Sequence, residues 1–269
     1  MGQSLTDQAQ SVAAAFVSAR RAGRALDAYP GERPDDLASA YRIQTAAIVF
    51  DGRSVAGWKV GRIHPPLDTV LGSNRLAGPI FADLVVHAEP GAVPQMPVFV
   101  GGFAAGEAEL LLHVAPGWDG TMPVDDAATR ALVDDVRLGI EVASSPYSEI
   151  NADGPAVTVS DFGNNCGVVI GTAVPDWEHV DLCAIPVRTE IDGVCVGEDT
   201  AASMLDGPFG AVRFLLGNLA ARGFDLSPGL WVSSGAITGV HPVRPGQRVC
   251  AIFGSIGQVE CEIVAAKRT

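Results

Sequence analysis

From Val55 onward the chain is a series of short runs rich in valine and isoleucine, each broken by glycine or proline. Examples are "VAGWKVG", "PIFADLVV", "AELLLHV" and "GVVIG". Short apolar runs bounded by turn-forming residues are typical of β-strands. The pattern therefore predicts a β-rich domain of many short strands over residues 55–269.

The first part of the chain, residues 1–54, has a different pattern and is predicted to be mainly helical. Apolar residues recur three or four positions apart between residues 4 and 28, which indicates a helix with one buried face. A second helix is predicted to begin after Asp36. One later helix is expected, with Asp206 as its cap and Gly223 as its end. We expect the helical and β-rich parts to form one structural unit of the α+β class.

The charge balance argues against several classes of partner. The chain has 18 lysines and arginines against 31 aspartates and glutamates, so its formal net charge is -13. Such a charge repels nucleic acid and anionic membranes, and the early apolar stretch at residues 12–17 is too short to cross a bilayer. Five scattered cysteines without a Cys-x-x-Cys pair argue against a disulfide framework or a thiolate zinc site. We therefore expect a cytoplasmic protein without a nucleic-acid or membrane partner.

Three glutamates stand in predicted strands that are otherwise apolar. Glu107 and Glu109 are two positions apart in "GEAELLLHV", so their side chains are expected on the same face of a strand. Glu141 lies in the similar run "VRLGIEVASS". Neighbouring carboxylates in apolar surroundings need a raised pKa, a basic partner or a bound cation. Together the three indicate an oxygen-only site for a hard dication, although ordinary strands with one exposed face would also account for them.

Three other segments carry side chains that suit a binding site. Lys59 stands in "GWKVG" and is either a surface lysine beside a tryptophan or a cation that holds a substrate carboxylate or an enolate oxygen. The segment "SDFGNNCG" at residues 160–167 is either a simple loop or a source of hydrogen bonds. The segment "SSGAITG" at residues 233–239 forms a plain turn or offers N–H groups and the Thr238 hydroxyl to an anionic oxygen.

Two hydrolase classes are poorly supported. The five histidines lie far apart and form no His-x-x-x-His motif, which argues against zinc hydrolase chemistry. The chain also has no Gly-x-Ser-x-Gly segment, so it lacks the turn that presents the nucleophilic serine of an α/β-hydrolase.

Six motifs occur in order along roughly residues 40–265: "GWKVG", "GEAEL", "LGIEVASS", "SDFGNNCGVVIG", "DGPFGAVRFLLGNLAARGFDLSPG" and "SSGAITGVHPVRPGQRV". Together they resemble the 2-keto-4-pentenoate hydratase and 4-oxalocrotonate decarboxylase group of the fumarylacetoacetate hydrolase superfamily. The resemblance implies a fumarylacetoacetate-hydrolase-like mixed β-roll with an N-terminal helical part. It also implies Mg²⁺ or Mn²⁺ held by Glu107, Glu109 and Glu141, with Lys59 beside the metal, and assembly into a homo-oligomer.

The resemblance also implies roles for residues in the other motifs. Lys59, Ser160 and Asp161 are expected to be catalytic. The residues expected to bind substrate are Asn164, Asn165, Ser234, Gly235 and Thr238.

The chain departs from the group at three points close to these motifs. The stretch after "GWKVG" reads "RIHPP" at residues 62–66, where members of the group carry a Leu-Thr-Ser type stretch. Leu76 and Ala77 precede Gly78, where hydratases tend to carry an acidic residue that helps to move protons. Ala236 stands where a serine is frequent.

The activity implied is that of a divalent-metal-dependent lyase acting on a small-molecule 2-oxo acid or 2-hydroxydienoic acid. The resemblance ranks a hydratase that adds water to the conjugated acid first, a 2-oxo acid decarboxylase of the 4-oxalocrotonate type second and a C–C bond hydrolase third. A catalytically silent partner subunit is the alternative from a different class.

Overall fold

Thirteen strands in two sheets form the centre of the described structure, a computed structural model that covers residues 2–268, with residues 2–6 described by their backbone alone. The strands are β1 (Val55–Arg62), β2 (Arg75–Phe81), β3 (Val85–His87), β4 (Gln95–Val98), β5 (Phe103–Val114), β6 (Val133–Ser145), β7 (Asn165–Ala173), β8 (Pro186–Ile191), β9 (Val194–Thr200), β10 (Leu230–Ser233), β11 (His241–Pro242), β12 (Arg248–Phe253) and β13 (Gly257–Ala265).

Six α-helices accompany the strands in the described part of the chain. They are α1 (Gly2–Arg21), α2 (Leu37–Asp51), α3 (Leu67–Leu71), α4 (Asp126–Arg130), α5 (Pro155–Ser160) and α6 (Gly207–Ala221). Short 3₁₀ turns lie at Ala82–Leu84, Phe162–Asn164, Leu182–Ala184 and Ala201–Ser203. No helix in residues 2–268 is long and apolar enough to cross a membrane.

The larger sheet has the strand order β2-β1-β10-β5-β6-β7-β3, and β11 pairs with the first half of β5, with His241 opposite Gly106. The smaller sheet has the order β4-β13-β12-β8-β9. The two long central strands β5 and β6 are antiparallel, and their pairing runs from Phe103 opposite Ser145 to Val114 opposite Val133. The predicted α+β class, with strands dominating after residue 55, is confirmed.

Strand β5 is buried on both faces, which explains why its sequence is almost wholly apolar. Leu110 and Leu112 point to one face and belong to the main core, which also contains residues of β6, β12, β13 and α6. Leu111 points to the other face and packs in a small cluster with Ile80 and Val168. Glu107 and Glu109 share the face of Leu111 because strand side chains alternate. The carboxylates therefore stand on a buried surface of the sheet.

The N-terminal helices share a core with the β-rich part. Phe16 of α1 belongs to one apolar cluster with Phe81 of β2 and Phe162 of the 3₁₀ turn. Helix α1 ends at Arg21 rather than at residue 28, and Gly23 adopts a left-handed backbone with φ of 61° just after it. The division of the chain at residue 54 stays a prediction.

The other two predicted helices are found close to their predicted limits. Asp36 caps α2 by accepting a hydrogen bond from the Ser39 N–H at 2.6 Å. Asp206 precedes α6 but makes no side-chain cap bond. Its carboxylate pairs instead with two guanidinium groups, Oδ1 with Arg75 and Oδ2 with Arg213.

Candidate active site

Three carboxylates meet on two neighbouring strands of the larger sheet. Glu107 and Glu109 lie on the same face of β5, because they are two residues apart in an extended strand. Glu141 of β6 is the register partner of Glu107, so its side chain stands on the same face across the ladder. One oxygen of each carboxylate lies within 4.8 Å of the others. The structure thus brings together the three glutamates that the sequence predicts as metal ligands.

These carboxylates are removed from water. The exposed fractions of Glu107, Glu109 and Glu141 are 4%, 0% and 0%. Burial raises the pKa of Glu107 to about 7; Lys59 opposes this shift and Glu141 adds to it. Burial likewise raises the pKa of Glu109 well above its ordinary value, with further contributions from its two carboxylate neighbours. Glu107 and Glu109 therefore need more positive charge nearby before both can ionise.

A lysine ammonium supplies part of that charge. Lys59 Nζ of β1 lies 3.2 Å from Glu141 Oε2 and donates a hydrogen bond to Asn164 Oδ1 at 3.2 Å. Burial lowers the pKa of Lys59, but attraction to the carboxylates, above all Glu141, outweighs burial and raises it. Lys59 is therefore a charged group held inside the protein.

The carboxylate oxygens at this site are suited to bind a divalent cation. Oε2 of Glu109 accepts hydrogen bonds from the Ser233 hydroxyl and from the Gly235 N–H, the latter at 2.9 Å. Oε1 of Glu109 is buried and has no hydrogen-bond partner among the described residues. A buried oxygen without a donor is costly, and one lysine leaves two negative charges of the three ionised glutamates unbalanced. Carboxylate oxygens are the ligands that Mg²⁺ and Mn²⁺ prefer. A bound dication would therefore balance the two negative charges and give the unpartnered oxygen a partner.

Two asparagines connect this cluster to the rest of the site. Asn165 Nδ2 donates to Glu141 Oε1 at 2.9 Å, so this amide orients a carboxylate and does not line the cavity. Asn164 accepts from Lys59 and donates through Nδ2 to Asn151 Oδ1 at 2.9 Å. Asn164 does line the cavity. Of these two predicted substrate-binding residues, only Asn164 is therefore placed where it can touch a ligand.

The backbone that carries both asparagines has an unusual conformation. Phe162, Gly163 and Asn164 have φ values of 56°, 61° and 58°, all in the left-handed region. Such a conformation costs energy in residues other than glycine and is found frequently at functional sites. Strand β2 packs directly against this turn, since a Cβ added at Gly78 would lie 2.1 Å from the Phe162 carbonyl oxygen. Glycine at position 78 therefore permits the contact that holds the turn.

The structure places Ser160 and Asp161 behind the cavity rather than in its wall. Both carboxylate oxygens of Asp161 accept hydrogen bonds from the Arg20 guanidinium, at 2.6 and 2.9 Å. The Ser160 hydroxyl donates to the Val157 carbonyl at 2.7 Å and accepts from the Tyr29 hydroxyl at 3.0 Å. Both side chains have their hydrogen bonds satisfied inside the protein, so neither is placed to touch a ligand as an expected catalytic residue would be.

A cavity of about 720 Å³ opens in front of the lysine and the carboxylates. Lys59, Glu107 and Asn164 line its inner end, and Arg62 and Arg75 also belong to its wall. The hydroxyl of Ser234 lines it too, and its Oγ is buried without a hydrogen-bond partner among the described residues. An unpartnered buried hydroxyl in a cavity wall is available to a ligand.

In the predicted anion-binding turn at residues 233–239, the three residues expected to bind substrate have different roles. The Gly235 N–H is already donated to Glu109, so it supports a carboxylate and is not free for substrate. Thr238 lines the cavity, but its hydroxyl lies 2.7 Å from the Thr189 hydroxyl and 3.1 Å from His241 Nε2. Among Ser234, Gly235 and Thr238, only Ser234 has a polar side-chain atom without a partner in the part of the chain that the structure describes.

Several residues of the site were not predicted from the sequence. Arg20 is one of them, although its spacing of four residues from Phe16 puts it on the buried face of α1 and could have identified it. Asn151 and Arg75 lie in segments without a recognisable motif, and Arg62 begins the stretch "RIHPP", which differs from the group, so no motif pointed to these side chains.

Comparison with known proteins gives the following relatives. The chain is 30% identical to a 4-oxalocrotonate decarboxylase of Pseudomonas putida over 134 residues, which is 50% of each protein, so the match spans about half of that relative's length. It is 25% identical to a 2-keto-4-pentenoate hydratase of Paraburkholderia xenovorans (strain LB400) over 260 residues, which cover 97% of this chain and 95% of the relative. No family model matches the chain.

A solved structure shows the same fold. The 4-oxalocrotonate decarboxylase from Pseudomonas putida G7, complexed with magnesium and adipate, superposes with a TM-score of 0.78 and is 21% identical. The superposition covers 96% of this chain and 98% of that one, and the predicted fumarylacetoacetate-hydrolase-like fold is confirmed. The chain is therefore similar to 2-keto-4-pentenoate hydratases and 4-oxalocrotonate decarboxylases, the group of the fumarylacetoacetate hydrolase superfamily that its motifs resemble.

Proposed function

We propose that the protein is a divalent-metal-dependent lyase that acts on a 2-oxo acid or a 2-hydroxydienoic acid, and that its reaction is the addition of water to the conjugated acid. The observation that carries the proposal is the buried triad Glu107, Glu109 and Glu141 beside Lys59, at the inner end of a cavity large enough for a small acid. Homologues named 2-keto-4-pentenoate hydratase support the reaction type.

The three glutamates would hold Mg²⁺ or Mn²⁺, and the buried Glu109 Oε1, which has no hydrogen-bond partner among the described residues, would be one of the ligand atoms. A bound dication supplies Lewis acidity, which favours electron density on the 2-oxo oxygen of the substrate. The solved decarboxylase of Pseudomonas putida G7 is complexed with magnesium, which is consistent with this donor set.

The chain's own residues would then position the acid. Lys59 is charged and lines the inner end of the cavity, so it can attract the substrate carboxylate or stabilise negative charge on an enolate oxygen. The Ser234 hydroxyl can donate to the same anionic end, because it has no hydrogen-bond partner among residues 2–268. Asn164 holds the Lys59 ammonium at 3.2 Å and limits the rotation of the side chain. These residues bind and orient the acid, and Lys59 keeps its proton.

Decarboxylation is the second candidate, and one observation favours it. Leu76 lines the cavity with an apolar side chain close to the position where hydratases tend to carry an acid. Water addition needs a group that moves protons, whereas loss of CO₂ needs mainly stabilisation of the electron pair left behind. The match to decarboxylases over half of the chain agrees with this alternative.

One assay separates these reactions. The purified protein is incubated with 2-hydroxydienoic and 2-oxo acids in the presence of Mg²⁺ or Mn²⁺, and ultraviolet absorbance and CO₂ release are followed together. A hydratase removes the absorbance without CO₂, whereas a decarboxylase releases one CO₂ for each substrate consumed. If the protein binds the metal but turns over none of these acids, the alternative of a catalytically silent partner subunit is favoured. If it does not bind the metal, the proposed function is contradicted.

We propose further that copies of the chain assemble into a homo-oligomer and that the protein is cytoplasmic. Val49 and Phe50, at the end of α2, are 76% and 44% exposed, and such apolar side chains suit contact with another copy. The five cysteines are all free, as is usual in a reducing compartment.

A further inference from the structure

One buried glutamine joins two elements that border the site. Gln44 of α2 is fully buried, and its Nε2 donates to the Ala77 carbonyl of β2 at 2.9 Å and to the Val159 carbonyl of α5 at 3.0 Å. Carbonyls at such places need partners from outside their own sheet or helix, because β2 lies at the edge of the larger sheet and Val159 stands in the last turn of a helix of six residues. The side chain of Gln44 therefore fixes β2 and α5 to the same helix.

A third contact fixes the orientation of this amide. Gln44 Oε1 accepts a hydrogen bond from Arg222 Nη2 at 2.8 Å. The Arg222 guanidinium lies over the ring of Tyr41, with 4.2 Å from Cζ to the ring centroid, and the Tyr41 hydroxyl accepts from the Ala77 N–H at 2.9 Å. An amide turned over would place its N–H groups against the guanidinium and its oxygen against two carbonyls. Only one orientation of Gln44 therefore satisfies all three of its neighbours.

The strand β2 and the turn that follows α5 enclose the side chain of Lys59. Gly78 of β2 is the register partner of Lys59. In the turn, a Cβ added at Gly163 would lie 3.0 Å from the Gly78 Cα and 3.2 Å from the Lys59 Cδ. The next residue, Asn164, accepts a hydrogen bond from Lys59 Nζ at 3.2 Å. The spacing between β2 and this turn therefore decides where the ammonium lies.

We propose that Gln44 is a positioning residue for Lys59. By binding the Ala77 and Val159 carbonyls at once, its amide keeps β2 and the turn after α5 in contact, and so holds the Lys59 ammonium at the inner end of the cavity. Gln44 does not line the cavity, so its effect reaches a ligand only through the elements that it holds. This inference rests on the proposed function, because it takes Lys59 as the group that meets the anionic end of the acid.

A double-mutant cycle with Lys59 tests the inference. The probe is oxalate, whose two adjacent carboxylates can bind a dication and a lysine and which has no conjugated double bond to hydrate. Titration calorimetry with saturating Mg²⁺ measures its affinity for the wild type, Gln44→Met, Lys59→Met and the double variant. Gln44→Met is expected to weaken binding roughly tenfold when Lys59 is present and by less than about twofold when Lys59 is replaced. A residue that only stabilises the fold would not show this dependence on Lys59.

Two further variants complete the test. Arg222→Met removes the donor to Gln44 Oε1 but keeps both carbonyl contacts possible, so it should weaken oxalate binding less, about threefold, and again only when Lys59 is present. This variant carries the test if Gln44→Met does not fold. Gln10→Met changes an exposed glutamine of α1 and should bind oxalate as the wild type does.

The outcomes separate this inference from the proposed function. Equal weakening with and without Lys59, or unchanged affinity in the folded variants of Gln44 and Arg222, would overturn the inference and leave the proposed function standing. If oxalate does not bind to the wild type in the presence of Mg²⁺, the proposed function fails and the inference fails with it.

Discussion

Arg20 and Asp161 form a buried two-point ion pair between the N-terminal helix and the turn that carries the asparagines of the site. Arg20 Nε and Nη2 donate to the two carboxylate oxygens of Asp161 at 2.6 and 2.9 Å. The same guanidinium donates to the carbonyls of Asn165 and Ser144, each at 3.0 Å. Its plane also lies against the Phe162 ring, with 5.0 Å from Cζ to the ring centroid. A helix remote from the carboxylates therefore fixes the residues that orient them.

Removal of one member of this pair should be strongly destabilising. Arg20→Met leaves the Asp161 carboxylate buried without its partner, and we expect a loss of roughly 3–5 kcal/mol in the free energy of unfolding. Arg20→Lys should lose less, since it keeps the charge but not the two-point contact. Urea unfolding measures both. The control is Arg24→Met, at an exposed position just after α1, which should change the free energy of unfolding by about 0.5 kcal/mol or less. An equal loss in Arg20→Met and Arg24→Met would contradict the role of the ion pair.

Glu109→Gln should abolish tight binding of the metal without unfolding the protein. The amide keeps the size of the side chain but replaces one anionic oxygen, and metal affinity depends on deprotonated ligands. Calorimetric titration is expected to give a dissociation constant for Mn²⁺ that is at least tenfold larger than in the wild type. The enzymatic activity should be lost together with the metal. Glu178→Gln removes an exposed carboxylate elsewhere and should bind Mn²⁺ as the wild type does. Unchanged Mn²⁺ affinity in Glu109→Gln would remove this residue from the ligand set.

The metal-free protein should lose stability as the pH rises. Burial raises the pKa of Glu107 to about 7, so the folded state holds this proton more tightly than the unfolded state does. A raised pKa contributes stability that is present below the unfolded value and is lost as the pH rises through the folded value. We therefore expect the melting temperature of the chelator-treated protein to fall between about pH 5 and pH 8.

Two further measurements assign this pH dependence to the carboxylates. In Glu107→Gln the fall in melting temperature should be smaller, since one titrating group is gone. Saturating Mg²⁺ should restore stability at about pH 8, because it binds the ionised carboxylates of the folded state. A melting temperature with the same pH dependence in wild type and Glu107→Gln would contradict the raised pKa.

Lys59→Ala should lower the turnover rate by roughly 10²-fold or more, a typical effect of losing one electrostatic donor. Lys59→Arg should recover only part of the rate, because the planar guanidinium cannot occupy the place of a compact ammonium. Steady-state kinetics at saturating metal and substrate measure both variants. A rate for Lys59→Ala within about threefold of wild type would exclude Lys59 from the reaction and leave it a packing role beside Trp58.

Assembly of the chain should be visible in solution. Light scattering at micromolar concentration is expected to report a mass that is a multiple of the 27.8 kDa of one chain. Phe50→Ser, at an exposed apolar position near the end of α2, should weaken the assembly if that surface is buried between copies. A stable particle of 27.8 kDa in the wild type would contradict the proposed homo-oligomer.

Much of the architecture was predictable because it depends on local patterns. Alternation and short apolar runs predicted a β-rich domain, and the spacing of Glu107 and Glu109 predicted that their side chains share a face. The start of α2 after Asp36 was predictable, since the residues that favour a helix start lie next to it, and Asp36 caps the helix through the nearby Ser39 N–H. Asp206 was predicted as a cap but pairs with Arg213 and with Arg75, which lies 131 residues away along the chain.

By itself, the sequence determined the strand-rich class, the pair of glutamates on one face and, through its ordered motifs, the resemblance to a family. Tertiary structure alone decided that Glu141 stands opposite Glu107, because strand register depends on pairing over the whole length of β5 and β6. It also decided that Asp161 and Asn165 support the site from behind while Asn164 and Ser234 face the cavity. The direction of a loop side chain depends on partners as distant as Arg20, 141 residues away along the chain, and no local pattern encodes them.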